Sequence, residues 1–484
     1  MVFNSFIFIL LFLPLTLAGW YLLNGSGRHR LADVFLIAMS CWFYGSFGRW
    51  NLPVLALSIA GNYIISSLMS SQEQEKGRVL LACGVVFNLL LLGFFKYGSG
   101  LEIPNVGKVM LPVGISFFTF SQISWLVDRF RRQTPHPDIR EYILYVCYFP
   151  KLAEGPITCY EEVMTQLRDP DRRRFDAENL WRGMILFVIG MAKKVLIADV
   201  LAPVAAFGFS NVYYLDMQTV AVMVAAYAFQ LYFDFSGFID MARGVSRMLG
   251  TELPLNFDSP FREVSFGKFW QKWHMTLTRF MTRYVYIPLG GSRVSRARTC
   301  LNVMIVFMLS GIWHGTGWPY FSWGVVTGIM VVLFNIFLKD KVASVQSSVG
   351  RTMLRILTFV IFCFTLLFFG ASGLRETFVL LRRFFVLTWP GFLYRAANCL
   401  NVAEAYPADK VISLLAPQYL NQAHLILLLA LLTACIIIVS RPHNSEQISK
   451  TMPLTRRNGV LLGVLLAWCL ISLSGVSTFV YFQY

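Results

Sequence analysis

The sequence predicts an all-α polytopic membrane protein, on three observations. Only 14% of its 484 residues are charged, 56% are hydrophobic and the mean hydropathy is +0.58, whereas soluble globular domains carry about 25% charged residues. Apolar runs recur from Val2 to the C-terminal end, so nothing the size of a soluble domain can be cut out, and residues 1–484 read as one integral membrane domain. Basic residues gather in the short loops between those runs, as the positive-inside rule expects of a multi-pass chain.

A crossing needs about 20 apolar residues. Candidate spans lie at 3–23, 32–48, 52–70, 79–95, 109–127, 142–153, 180–206, 217–235, 265–288, 299–313, 318–338, 354–373, 424–440 and 459–479. The first lacks a basic leader and a small-residue cleavage pattern, so it is expected to persist as a transmembrane helix. Several others are short or carry charges, and are expected as half-helices or as helices turned toward the protein interior. The loops Arg28–Arg30, Lys76–Arg78, Arg129–Arg140, Arg168–Arg174, Arg293–Arg298, Lys339–Arg351 and Arg441–Arg457 are basic and are assigned to the cytoplasm. Tyr97–Gly107, Ser210–Gln218 and Pro390–Asn421 are poorly basic and are assigned, with both termini, to the outer face. The net charge of +16 is this loop bias; it is not a nucleic-acid footprint, and no nucleic acid is expected as a partner. Nine cysteines are scattered without a CxxC pair, most of them in apolar runs, and read as small buried hydrophobes.

The run Thr299–Leu338 contains no Asp, Glu, Lys or Arg. As one helix its 40 residues would reach about 60 Å, twice the hydrocarbon thickness, so it must break. Its breakers are Gly311, Gly315, Gly317 and Pro319, and they bracket His314. Irregular backbone within a bilayer is tolerated where it is buried in protein or lines a water-filled cavity, and an ionisable residue there is a functional candidate by default. Neutral imidazole is a suitable general base near neutral pH.

A second histidine, His274, ends the stretch "SFGKFWQKWH". Helical spacing over Ser265–Gly291 sets Phe269, Trp270, Trp273, Leu277 and Phe280 roughly on one face, with Lys268, Lys272, Arg279 and Arg283 toward another. The spacing fits an interfacial helix anchored by Trp and Lys, and equally a helix that points one histidine inward. In "QLYFDFSGFIDMARG", Asp240 and Arg243 stand three apart and are expected to pair. Asp234, Ser236 and Asp240 read either as buried polar structure near a helix break at Gly237 or as the polar wall of a substrate tunnel. "FPKLAEGPIT" places a further acid, Glu154, among two prolines and a glycine, with Cys159 next in sequence; no adjacent base activates that thiol. Neither a metal-ligand spacing, a P-loop, a dinucleotide fingerprint nor the repeat of a secondary transporter is present.

"QLYFDFSGFIDMA", "NFDSPF", "FWQKWHMTLTRF", "LGGSR" and "SGIWHG" occur in that order. The set resembles the membrane-bound O-acyltransferase (MBOAT) family in its alginate O-acetyltransferase, AlgI-like, branch. "LPVGISFFTFSQISWLVD", "FFKYG", "KKVLIAD", the opening "MVFNSFIFILLFLPLTL" and the closing "FVYFQY" extend the resemblance essentially end to end. It implies a bundle of about 11 transmembrane helices plus re-entrant half-helices around a central funnel or tunnel. It also implies that His314 is the catalytic residue at the tunnel's narrow point and His274 a second functional histidine. Asp234, Ser236, Asp240, Glu154, Trp313 and Gly315 become candidates for the tunnel wall.

The activity so implied is transfer of an acyl group, expected to be acetyl, from a cytoplasmic thioester across the bacterial cytoplasmic (inner) membrane for O-acylation of an exported polysaccharide. The donor is expected to be an acyl thioester, acetyl-CoA or an acyl carrier, with no bound cofactor or metal. The acceptor hydroxyl belongs to the polymer or to a periplasmic or extracellular acetylation protein of the same operon, and membrane lipid surrounds the chain. His314 would take the hydroxyl proton, with backbone N–H groups at the Gly311–Gly317 break steadying the oxyanion. D-alanyl transfer to teichoic acid, or a non-catalytic acyl conduit for a partner transferase, are the alternatives. Two departures set this chain apart from the branch: Thr282-Arg283-Tyr284 replaces an Arg-Asp-Tyr step, and Glu154 stands where the alginate branch has a small residue.

Overall fold

The computed structural model describes all residues except 71–73, 99–100, 104–106, 109, 135–137, 389–390, 401 and 474–484. The closing "FVYFQY" run and parts of the loops Tyr97–Gly107, Arg129–Arg140 and Pro390–Asn421 lie outside the described residues.

Helices follow one another through the chain, interrupted by one short antiparallel pairing of Glu102–Ile103 with Gly107–Lys108. They are α1 (Leu13–Gly25, entered through a π-helical stretch Phe8–Phe12), α2 (His29–Gly45), α3 (Asn51–Ser70), α4 (Gln74–Tyr97), α5 (Ile115–Phe130), α6 (Ile139–Cys147), α7 (Phe149–Leu152) and α8 (Tyr160–Arg168). Then come α9 (Ala177–Ala192), α10 (Asp199–Ser210), α11 (Met217–Met248), α12 (Phe266–Lys272), α13 (Met275–Met281), α14 (Arg296–His314), α15 (Trp318–Val332) and α16 (Lys339–Ser344). The chain continues through α17 (Ser348–Gly370), α18 (Leu374–Arg383), α19 (Gly391–Ala397), α20 (Tyr406–Leu415), α21 (Leu420–Ser440), α22 (Ser445–Thr451) and α23 (Arg456–Ile471).

Among the described residues, eight helices are long and apolar enough to cross a membrane: Phe8–Gly25, Asn51–Met69, Gln74–Tyr97, Met217–Met248, Arg296–His314, Trp318–Phe337, Ser348–Gly370 and Pro417–Ser440. The continuous helix through α9, the π-helical Lys193–Ala198 and α10 carries Lys193, Lys194 and Asp199 in its middle. Those charges are turned inward and paired, so its composition understates how well it can cross. The short runs 142–153 and 265–288 do not cross as single helices. The first divides into α6 and α7, and the second into α12, α13 and a π-helical stretch Thr282–Tyr286.

The bundle is centred on α11, whose spanning window is 83% buried. Asp216 starts it, accepting from the N–H of Thr219 at 2.8 Å. No break occurs at Gly237: α11 is continuous from Met217 to Met248. The glycine serves instead in a close antiparallel crossing with α9. A Cβ on Gly183 would lie 2.6 Å from the Gly244 carbonyl oxygen, and one on Gly244 would lie 2.6 Å from that of Gly183. One turn-pair further along, Gly190 and Gly237 meet in the same reciprocal way at 2.5 and 2.7 Å. Lipid offers no hydrophobic drive between helices, so close backbone approach through small residues is what holds such a pair.

The expected Asp240–Arg243 pair does not form. Asp240 receives Lys193 Nζ at 2.6 Å and Ser445 Oγ at 2.6 Å, while Arg243 bonds Glu446 at 2.7 Å and the Leu253 carbonyl at 3.1 Å. Both polar groups of α11 are taken by neighbouring elements, tying it to the π-helical stretch after α9 and to α22. Removing a side chain from water is tolerated here because each charge meets its opposite.

Candidate active site

Helix α14 starts where Ser295 Oγ accepts from Arg298 N, and it stops at His314. Gly315 is extended (φ −161°, ψ 166°), Gly317 has φ 127°, and α15 starts at Trp318 with Pro319 in its first turn. The two helices form a tight antiparallel hairpin. A Cβ on Gly311 would run into the Tyr320 carbonyl, and one on Gly324 would lie 2.5 Å from that of Phe307. The break foreseen at His314 is a turn between two helices each long enough to cross, Arg296–His314 and Trp318–Phe337, in line with the candidate spans 299–313 and 318–338.

His314 is buried within aromatic rings. Its centroid lies 4.8 Å from Trp313, 5.1 Å from Trp323 at 90°, and 5.3 Å from Phe369. Trp313 reaches on to His274 at 5.9 Å, stacks on Phe120 at 5.4 Å and meets Phe117 edge-on at 5.6 Å. One indole thus separates and orients the two imidazoles.

His274 does not sit on the face of an amphipathic helix. It stands at the break between α12 and α13 with φ 48° and ψ 52°, a left-handed conformation that side-chain-bearing residues seldom adopt. A strand-like segment holds it there: Asp258 N donates to Lys272 O, and Met275 N donates to Asn256 O. The tryptophans before it, expected as interfacial anchors, pack inward, with Trp273 against Phe257, Phe269 and Phe362.

Asn256 decides the state of the His274 ring. Its Oδ1 accepts from Thr276 N at 3.0 Å, from Thr276 Oγ1 at 3.0 Å, and from His274 Nδ1 at 3.2 Å. The backbone N–H of Thr276 can only donate, which identifies the bonded atom of Asn256 as oxygen. An amide oxygen can only accept, so Nδ1 carries the hydrogen and Nε2 of neutral His274 carries the lone pair. Nε2 is buried and has no hydrogen-bond partner among the described residues. Thr276 Oγ1 in turn accepts from Ile157 N at 3.1 Å, which fastens the "EGPIT" loop to the same network. Asn256 was quoted within "NFDSPF" but not singled out. The signal was an amide in a short segment shortly before a helix-breaking histidine, and only the fold shows that the two meet.

Both histidines line one cavity of about 260 Å³. It follows α14 from Val303 to His314 and is walled by Trp270, Trp273 and Phe307, with Gln271, Thr278, Thr282, Tyr286, Ser310 and Asn335 as polar groups. Among the described residues, no Asp, Glu, Lys or Arg lines it. A second cavity, about 590 Å³, opens beyond the end of α14, against Gly315, Thr316, Gly317, Tyr320, Gly373 and Lys96. We call the first the histidine chamber and the second the vestibule. His314 and Gly315, adjacent in sequence, face one each. Lys96, on α4, is buried, and its ammonium donates to the carbonyl of Trp313.

Of the remaining candidates, Asp234 is ion-paired with Lys194 at 2.6 Å, and Lys194 also meets Asp199 at 2.9 Å. Glu154 and Ser236 are buried, and Glu154 Oε1 and Ser236 Oγ have no hydrogen-bond partner among the described residues. Asp234, Ser236, Asp240 and Glu154 line neither the histidine chamber nor the vestibule. The acid missing from Thr282-Arg283-Tyr284 is supplied in space by Asp128 of α5, which accepts from Arg283 and from Tyr284 Oη at 2.9 Å each. Cys159 Sγ lies 3.8 Å from both Tyr284 Oη and Arg283 Nη1. Among the described residues no three of His, Cys, Asp and Glu converge as a metal-ligand set.

The arrangement supplies imidazole at the junction of two cavities, one of them uncharged, with one ring fixed as a single tautomer. That is the equipment for moving a proton off a hydroxyl where water is scarce. Residues 127–340, which contain both histidines, match the model of the membrane-bound O-acyltransferase family. The chain is 32% identical over 419 residues to the peptidoglycan O-acetyltransferase of Helicobacter pylori, covering 79% of each. It is 34% identical over 354 residues to the probable alginate O-acetylase AlgI of Azotobacter vinelandii, covering 69% of this chain and 68% of the relative. To the teichoic acid D-alanyltransferase of Bacillus subtilis it is 24% identical over 393 residues, covering 76% and 98%.

Proposed function

The chain belongs to the membrane-bound O-acyltransferase family and is a multi-pass membrane acyltransferase, and from that premise we propose that it carries an acetyl group from a cytoplasmic thioester to a hydroxyl of an exported cell-wall or extracellular polysaccharide. The observation that carries this reading is the meeting of two cavities at the His314–Gly315 peptide. The thioester enters the histidine chamber, the acceptor hydroxyl enters the vestibule, and the reacting atoms meet at His314.

His314 takes the hydroxyl proton as the oxygen attacks the thioester carbonyl, and the thiol leaves with a proton. The Nε2 of His274, held as an acceptor by Asn256, receives a hydrogen bond inside the chamber and orients the donor. The N–H groups freed at the start of α15 are offered to the vestibule, so they serve the oxyanion only if its oxygen points that way.

Acetyl is favoured over D-alanyl by the lining of the histidine chamber. A D-alanyl thioester carries an ammonium, and among the described residues no carboxylate lines the chamber to receive it. The relatives named for alginate and for peptidoglycan support a polysaccharide acceptor, and the polymer is delivered to the outer face of the cytoplasmic membrane, directly or through an acetylation partner.

The test is turnover by the purified full chain in nanodiscs, with an acetyl thioester as donor and a polysaccharide fragment as acceptor. Acetyl-ester formation that stops in His314→Ala is expected. Ester formation that persists in that variant would remove His314 from the chemistry. Ester that forms only when an acetylation partner is added, and forms equally well with His314→Ala, would make the chain a conduit.

A further inference from the structure

We propose that the cleft between α9, α21 and α23 holds one anionic phospholipid of the cytoplasmic leaflet, with its phosphate on Arg441 and His443 and an acyl chain along α9, and that this lipid braces the segment holding His274. The inference goes beyond the acyl-transfer reading and does not depend on it.

The cleft measures about 250 Å³. Ile189, Leu196 and Ile197 line it from one face of the continuous helix through α9, and Ile438, Val439 and Leu465 line it from α21 and α23. The loop that follows α21 supplies the polar lining, with Arg441, His443 and Asn444. The side chains of Arg441 and His443 have no hydrogen-bond or ion-pair partner among the described residues. Lys193 also lines the cleft, but its charge is met by Asp240 at 2.6 Å. Among the described residues no carboxylate lines the cleft, so Arg441 presents an unmet cation beside an apolar channel. Basic pockets between spanning helices on the cytoplasmic side are where anionic head groups bind, and Arg441–Arg457 is one of the basic loops assigned to that side. The volume disfavours a protein occupant: a helix is about 10–12 Å across with its side chains and cannot enter so small a cleft, whereas a flexible acyl chain can.

The loop that would carry the phosphate is fastened to the neighbourhood of His274. Asn444 Nδ2 donates to Asp258 Oδ1 at 3.0 Å, and Arg262 Nη1 donates to the Pro442 carbonyl at 3.2 Å. Ser259, which follows Asp258 with φ 50°, lines the cleft itself. Asn256 and Asp258 belong to the segment whose backbone bonds to Lys272 and Met275 hold His274 in its left-handed turn. Tyr232 of α11 also lines the cleft, and its ring meets Trp273 at 5.9 Å and Phe257 at 5.8 Å. Trp273 lines the histidine chamber, so one layer of rings parts the two cavities. A lipid that binds only while this layer and loop are in place makes their opening rarer by linkage.

The test uses the full chain in nanodiscs of phosphatidylcholine, with and without phosphatidylglycerol. Released from mixed nanodiscs and weighed by native mass spectrometry, wild type is expected to retain one phosphatidylglycerol in preference to phosphatidylcholine. Arg441→Gln combined with His443→Gln is expected to abolish the preference, and Arg441→Lys to keep most of it. The readout is a ratio within one protein, so a variant that is merely unstable does not imitate the loss. Hydrogen exchange at the amides of Asp258 and Met275 is expected to slow by about tenfold in wild type with phosphatidylglycerol at about ten times its Kd, and to be unaffected by that lipid in the double variant. Equal retention of both lipids by wild type, or an undiminished preference in the double variant, overturns the site. Displacement of the lipid by glycerol 3-phosphate would make the ligand a soluble phosphate and overturn the lipid. Selective retention without slower exchange overturns the brace. None of these outcomes involves acyl transfer, so they leave the functional reading to its own test.

Discussion

His314 occupies the last helical position of α14, where the chain turns and two cavities touch. Its replacement by alanine removes an imidazole from an end already bounded by glycine and adds no strain. His314→Ala is therefore expected to accumulate and insert as wild type does while acyl transfer falls by about 10²-fold or more, the usual worth of a general base. Ester formation measured beside membrane protein level checks it. Asn256 makes a subtler case. Asn256→Leu keeps the volume but withdraws the acceptor that sets the His274 tautomer. Transfer is expected to fall about tenfold or more. Because the asparagine acts largely through the histidine, Asn256→Leu combined with His274→Ala should lose little beyond His274→Ala alone. Full additivity of the two losses in kcat/KM would show that Asn256 acts elsewhere.

At the scale of elements, the closest backbone approaches of α9 to α11 and of α14 to α15 are made at glycines. The α9–α11 crossing brings backbone against backbone at two levels, and neither helix can retreat without opening the core. Gly237→Leu places its Cβ where the Gly190 carbonyl stands, and overpacking of this kind costs about 1–3 kcal/mol. Thermal unfolding in detergent should shift clearly downward; an unchanged midpoint would mean that the helices separate freely. Gly315 poses a different problem. Its backbone is extended, which any residue adopts, so substitution brings no torsional strain. A Cβ there instead enters the ring of Tyr320 at the mouth of the vestibule. Gly315→Leu is expected to remain inserted and to lose most transfer although His314 is intact, and Tyr320→Ala in the same chain should recover part of it by making room. Transfer at the wild-type level in Gly315→Leu would place the vestibule off the acceptor's route.

For the molecule as a whole, the proposed reaction brings donor and acceptor from opposite sides. The basic loops assign Arg293–Arg298, at the start of α14, to the cytoplasm. With 19 residues, α14 rises about 28 Å, so on that assignment His314 at its far end would lie near the outer face, where the proposed acceptor presents its hydroxyl. A single cysteine at Ser295, on a cysteine-free background, is expected to resist impermeant thiol reagent in intact cells and to react after the membrane is opened. Labelling from outside intact cells would invert the assignment of the two cavities.

What could be read directly was whatever depends on local composition. The charge-free run, its four breakers and the helix end at His314 follow from bilayer thickness and from the conformational habits of glycine and proline. The same holds for the apolar spans and the family motifs. What the chain order could not reveal was which distant groups meet. Periodicity treated Ser265–Gly291 as one helix, because nothing local shows that residues 256–258 will pair with 272–275 and force His274 into a left-handed turn. Spacing paired Asp240 with Arg243, because a three-residue offset carries no knowledge of Lys193 or Glu446. Lys96 read as one more residue of "FFKYG" until α4 was laid against the end of α14. Helix ends and apolar faces are set by neighbours in sequence, whereas a buried charge or a ring tautomer is set by whichever partner the packing brings within about 3 Å, and only the tertiary fold selects that partner.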